Sequence, residues 1–159
     1  MLAYIRTMTE TTAKTPFTTV INLLRASALI QERFSGELGS VHGLALNEAL
    51  LLMHLERAPL QRLTRVDLAK RLHASASTVT RMAAPMEKTG LVVRQPDPRD
   101  ARLAYVALTE AGRAVVGEVR QTLEKRSAEL FRDRWAADEI ATLAAMLGRL
   151  TANEPGTLV

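Results

Sequence analysis

Apolar side chains recur at helical spacing from Pro16 onward. Phe17, Val20, Ile21, Leu24 and Ala28 follow the i, i+3, i+4, i+7 rule. They predict a helix from Pro16, a residue suited to a first helical turn, to about Phe34. Leu23 and Ile30 widen the stripe past one face, as if the helix met both its own core and a second subunit. The Thr-rich, aperiodic residues 1–15 read as a flexible tail, and Gly36 and Gly39 as a loop. Further helices are expected over Leu46–Arg57, stopped by Pro59, over Thr64–Leu72, and over Ser75–Lys88, stopped by Gly90. Thr64 and Asp67 have capping-box spacing. Leu91–Gln95 and Arg102–Leu108 then read as two short strands joined by a turn at 96–101. Thr109 suits the N-cap of a long helix from Glu110 to about Arg132 that buries Val115, Val116, Val119, Leu123 and Leu130. A last helix, Ala137–Thr151, sets Ile140, Leu143, Met146, Leu147 and Leu150 on one side.

Only His73 and Ala74 separate the third and fourth helices, a turn short enough for a helix-turn-helix. Ala69 is small where the two helices must touch, and Val79 and Met82 point back toward it. His73 falls at the turn position where φ is often positive. The hairpin that follows makes the motif winged. On a helical wheel Val79, Met82, Ala83 and Met86 share one side of the fourth helix. Ser77, Arg81, Ala84 and Lys88 share the other, with Thr78 at the flank. Small outward residues let a backbone enter a major groove, where an arginine addresses guanine O6 and N7. A plain solvated face is the bland alternative. Against it, Arg81 has no acidic residue three or four positions away, whereas Arg71 has Asp67 four residues earlier and is expected to pair with it. Pro85 removes the N–H that would bond the Arg81 carbonyl, so a bend is expected after the DNA-reading turns.

Charge sharpens this picture. The chain carries a formal +4, yet residues 60–102 alone hold nine Lys/Arg against four acids, leaving the rest at −1. A basic module in a near-neutral scaffold of 159 residues, about one domain's worth, fits a polyanion. Aromatics make up only 4%, too few for the stacking platforms that hold single strands, so duplex DNA is the better partner. With no cysteine, disulfides, thiolate metal sites and thiol-based peroxide sensing are excluded. Apolar runs such as Ala49–Met53 are far too short for a membrane span, and the first residues lack a secretory core; the cytoplasm is expected. His42, His54 and His73 are too scattered for a metal-ligand pattern, and Asp97 and Asp100 read as turn residues rather than an acid–base pair. Phosphate-loop, nucleophile-elbow and zinc-protease motifs are missing, so neither enzyme activity nor a cofactor is expected.

The pieces DLAKRL, SASTVTR, MEKTGLVVR, DPRDAR and VALTEAG together resemble the winged helix-turn-helix of the MarR/SlyA transcriptional regulators. The resemblance implies a mainly α fold with a small β-hairpin: a winged helix-turn-helix plus N- and C-terminal dimerisation helices. The matching division is a tail at 1–15, a dimerisation helix and loop at 16–43, a DNA-binding lobe at 44–108 and C-terminal dimerisation helices at 109–159. It places Ser75, Ser77, Thr78 and Arg81 at the major groove, and Arg102, with Arg99 as a second candidate, at the wing. Asp100 is read as bracing the wing. The wing departs from many members in having Ala101 where they have arginine. The function implied is a homodimeric repressor that binds a near-palindromic operator in double-stranded DNA and responds to a small aromatic or anionic effector. A winged-helix protein–protein interaction module is the alternative, and a small cytosolic enzyme a more distant one.

Overall fold

The computed structural model describes residues 2–97, 100, 103–152 and 158, with side chains from Thr15 onward. The first helix, α1 (Leu2–His42), extends beyond the expected span at both ends. It is helical through the stretch expected as a tail, where neither glycine nor proline interrupts the chain before Pro16. It also continues through Gly36 and Gly39, which lie inside the helix rather than in a loop. Tertiary packing overrides their poor propensity: Leu38 between them is fully buried, and Glu37 pairs with Arg126 at 2.6 Å. The helix ends at Gly43, whose φ of +66° suits glycine, with the Leu44 N–H donating to the Leu38 carbonyl.

Helix α2 (Leu46–Arg57) follows, and a single 3₁₀ turn (Pro59–Gln61) leads into a three-residue strand, β1 (Arg62–Thr64). This strand was not expected, being too short to show a period. Thr64 also caps α3 (Arg65–Arg71): its Oγ1 accepts from the Asp67 N–H at 3.1 Å and donates to Asp67 Oδ2 at 2.7 Å. Asp67 is thereby engaged, and the expected Arg71–Asp67 ion pair does not form among the described residues. Helix α4 (Ala76–Lys88) is followed by β2 (Val92–Pro96), β3 (Ala104–Leu108), α5 (Glu110–Phe131) and α6 (Ala137–Thr151). The antiparallel sheet runs β1-β3-β2, with Leu63 opposite Val106 and Val92 opposite Leu108.

One core joins α2, α3, α4, the sheet and α5 around Leu51, Leu52, Leu55, Leu68, Val79, Met86, Val92, Val116 and Val119. Polar contacts tie α5 to the first two helices. His42 Nε2 lies 2.9 Å from Thr122 Oγ1, Arg120 pairs with Glu56, and Arg126 is held between Glu37 and Glu129. Those two carboxylates keep the Arg126 guanidinium still more firmly protonated, and Arg126 in turn lowers the Glu129 pKa. The outer parts of α1 and α6 are different. Phe17, Val20, Leu24, Met146 and Leu150 are all exposed, and α6 contributes no buried residue. Trp135 precedes α6 and packs edge-on against Phe131 at 5.9 Å.

Candidate nucleic-acid interface

Helices α3 and α4 form the helix-turn-helix. Its turn is set by His73 at φ +48° and by the Ala74 N–H donating to the carbonyl of buried Ala69 at 2.9 Å. A left-handed residue costs least for a few types, histidine among them. Ser75 then caps α4. Its Oγ accepts from the Thr78 N–H at 3.1 Å and bonds the hydroxyls of Ser77 and Thr78 at 2.8 and 2.9 Å. The first turn of α4 thus presents three linked hydroxyls with one of them, Ser75, already engaged in the cap.

The two faces of α4 separate as the wheel predicts. Val79, Ala83 and Met86 are buried and Met82 is half-buried, while Ser77, Arg81, Ala84 and Lys88 are exposed. The helix continues through Pro85 to Lys88. Arg81 makes no ion pair among the described residues, so its guanidinium stands in solvent beside small neighbours.

The wing is the β2–β3 ladder, running from the Val92–Leu108 pair to the Pro96–Ala104 pair. Arg99 and Arg102, the residues expected to contact DNA there, lie outside the described residues, and so does the Asp100–Arg102 brace. What the described part shows is bracing by Asp97. Its Oδ1 accepts from the Asp100 N–H at 3.1 Å and its Oδ2 from the Tyr105 hydroxyl at 3.0 Å. Paired backbone bonds between Asp97, Leu103 and Asp100 close the same turn. The bond to Asp97 raises the Tyr105 pKa, and Arg62 stacks over the Tyr105 ring at 4.4 Å. The sequence places Asp97 in a turn, and aspartate's habit of accepting from nearby backbone N–H groups was the available signal for its role. Tyr105 and Arg62 carried none, because β1 was not foreseen.

Two junctions hold this lobe in place. Thr109 caps α5 by accepting from the Gly112 N–H, while its hydroxyl donates toward the carbonyls of Gly90 and Leu91 at 2.7 and 3.0 Å. His54 is buried in α2, with no carboxylate partner among the described residues. Burial foremost, and Arg71 nearby, lower its pKa from 6.5 to about 4. Among the described residues no group of three metal-ligating side chains occurs.

The order helix-turn-helix, wing, long helix defines a winged helix-turn-helix protein. Comparison with known proteins narrows that class. Residues 42–103 match the MarR family model. The multiple antibiotic resistance protein MarR of Escherichia coli K12 is 32% identical over 88 residues, 55% of this chain and 61% of that protein. The transcriptional regulator AdcR of Streptococcus pyogenes is 38% identical over 58 residues, 36% of this chain and 40% of that protein. These matches therefore span only part of the curated relatives' length. A crystal structure of a mutant E. coli MarR complexed with operator DNA superposes with a TM-score of 0.69 at 27% identity, covering 84% of this chain and 96% of that one. A MarR family regulator from Streptomyces coelicolor, in complex with DNA, shares the fold with a TM-score of 0.75 at 24% identity, covering 85% and 84% of the two chains. The similarity to the MarR family thus lies in residues 42–103 of the sequence and, as fold, along most of the chain.

Proposed function

We propose that this protein is a sequence-specific regulator of transcription that binds double-stranded DNA as a homodimer, and that it acts as a ligand-responsive repressor in the cytoplasm. The observation that carries the reading is α4 itself: an exposed row of hydroxyl, small and basic side chains, centred on Arg81, which makes no ion pair among the described residues, on a helix fixed by its opposite face. The operator-bound structure of the E. coli relative supports the same use of the fold. Ser77, Thr78 and Arg81 face the major groove in this reading, and Ser75 serves chiefly as the cap that sets them. Arg102 and Arg99 reach the minor groove from the wing, with Asp100 aiming Arg102; Asp100→Ala then weakens specific binding despite the gain in positive charge. The relative AdcR is a transcriptional regulator by name, which favours a binding protein over an enzyme.

The dimer reading rests on the apolar stripe left uncovered on α1 and α6. A twofold pair of lobes calls for a near-palindromic operator with half-sites one duplex turn apart, roughly 34–36 Å. A groove of about 310 Å³ between α1 and α5, lined by Ile30, Phe34 and Leu130 and by the Arg126–Glu37–Glu129 cluster, has the volume of a small-ligand site and supports the effector reading. A mobility-shift assay on the DNA upstream of the protein's own gene tests the function. A retarded band that specific competitor removes and scrambled competitor does not is expected; equal competition by both contradicts it.

A further inference from the structure

A cleft of about 100 Å³ opens between α4 and the wing, lined on one side by Thr80, Ala84 and Glu87 and on the other by Arg94 and Tyr105, with Arg65 at the start of α3 reaching in. Two arginines enter this small space from different elements. Arg65 Nη1 donates to Thr80 Oγ1 at 3.3 Å, which leaves the rest of its guanidinium unengaged among the described residues. Arg94, exposed on β2, has no ion-pair partner among the described residues, and neither arginine lies within ion-pair distance of Glu87. Both arginines line one cleft, with Glu87 in its wall but beyond ion-pair distance of either, so an anion that enters gains from two guanidinium groups at once.

The size of the cleft identifies the anion. Sites for small organic ligands occupy about 300–1,000 Å³, several times this space, whereas one phosphate group needs only its oxygens within reach of a guanidinium. Its position identifies the source. Thr80 flanks Arg81 in sequence, and Ala84 belongs both to the cleft wall and to the exposed face that carries Arg81. A helix lying in a major groove has the phosphates of the groove's walls alongside it. We infer that the Arg65–Arg94 cleft is a seat for a backbone phosphate of the bound duplex, fixing the depth and register of α4 without reading a base. The inference rests on the DNA-binding reading above and adds to it two contacts that neither the motif nor the wing tip supplies.

Salt dependence is the test, because each neutralised phosphate changes the slope of log K against log salt by about 0.9. Binding to a selected operator and to a scrambled duplex is measured from low to moderate salt for the full-length protein, for Arg65→Gln, for Arg94→Gln and for Arg94→Lys. Each glutamine variant is expected to lower the slope by part of the roughly 0.9 that one phosphate supplies and to weaken both duplexes by a similar factor, leaving the operator preference intact. Arg94→Lys should keep the slope. Glu87→Gln, which removes a negative charge from the cleft without deleting either arginine, should tighten both duplexes. That variant keeps the test decisive if a glutamine variant fails to fold. Unchanged slopes in folded glutamine variants, no gain from Glu87→Gln, or loss confined to one base position would overturn the phosphate seat while the DNA-binding reading stood. Wild-type protein that does not distinguish operator from scrambled DNA would instead count against the function itself.

Discussion

Gly112 and His54 show how single residues hold the lobe against its support. A Cβ added at Gly112 would lie 2.1 Å from the Leu91 carbonyl oxygen and 2.8 Å from Leu108 Cδ1, so α5 approaches the wing base as closely as it does only because this residue has no side chain. Alanine is otherwise the better helix former by about 1 kcal/mol. Gly112→Ala is nevertheless expected to destabilise, by about 1–3 kcal/mol as in other overpacked sites. Gly117→Ala on the same helix, where nothing lies within 4 Å, should stabilise slightly. Urea unfolding of the two variants checks the opposite signs. His54 makes a different prediction. The fold holds it neutral with a pKa of about 4, against the usual 6.5, so the unfolded chain binds the proton more readily. Stability from this residue is complete above pH 6.5 and is lost as pH falls toward 4. Each pH unit across that window costs up to about 1.4 kcal/mol. In His54→Leu this part of the acid sensitivity should disappear from thermal melts taken between those pH values.

At the scale of elements, the clearest signals were those with a local mechanism. Thr64, Ser75 and Thr109 each accept the N–H three residues on; the first and last of these caps were legible in the sequence, whereas Ser75 was read as helix start and DNA contact rather than as a cap. The face of α4 was legible because Val79, Met82, Ala83 and Met86 and their polar opposites obey one helical period. The extent of α1 was not. Gly36 and Gly39 look like breakers until Leu38 and Glu37 are seen to be held by the core and by Arg126, which no local window contains. The Asp67 side chain likewise chose its own cap over Arg71. Within the wing, Asp97 ties the Asp100 backbone to Tyr105. Asp97→Ala should therefore speed amide exchange in β2 and β3 and weaken operator binding, with α4 exchange unchanged; protection of the wing at wild-type level would remove Asp97 from this role.

The whole molecule presents two unlike halves. A lobe with a sealed core carries the basic face, and long helices at both ends of the chain leave Phe17, Val20, Leu24, Met146, Leu147 and Leu150 in contact with water. Apolar area of that extent is costly to leave open, and in the proposed dimer it is association through this surface that would supply the twofold pair of recognition helices. Light scattering at micromolar concentration should return a dimer mass, and Leu24→Glu with Leu150→Glu should shift it to the monomer and abolish operator binding together. A wild-type monomer that still binds the palindrome would break that link. The central claim is that the exposed row on α4 reads base sequence through Arg81. It is tested most directly by titrating the wild-type and Arg81→Ala proteins against a selected operator and against the set of single base-pair variants of one half-site, at one salt concentration. The prediction is a loss of about 1–3 kcal/mol on the operator, with discrimination flattened at one base position per half-site and retained elsewhere. An Arg81→Ala protein that keeps the wild-type affinity and the wild-type preference at every position would contradict it.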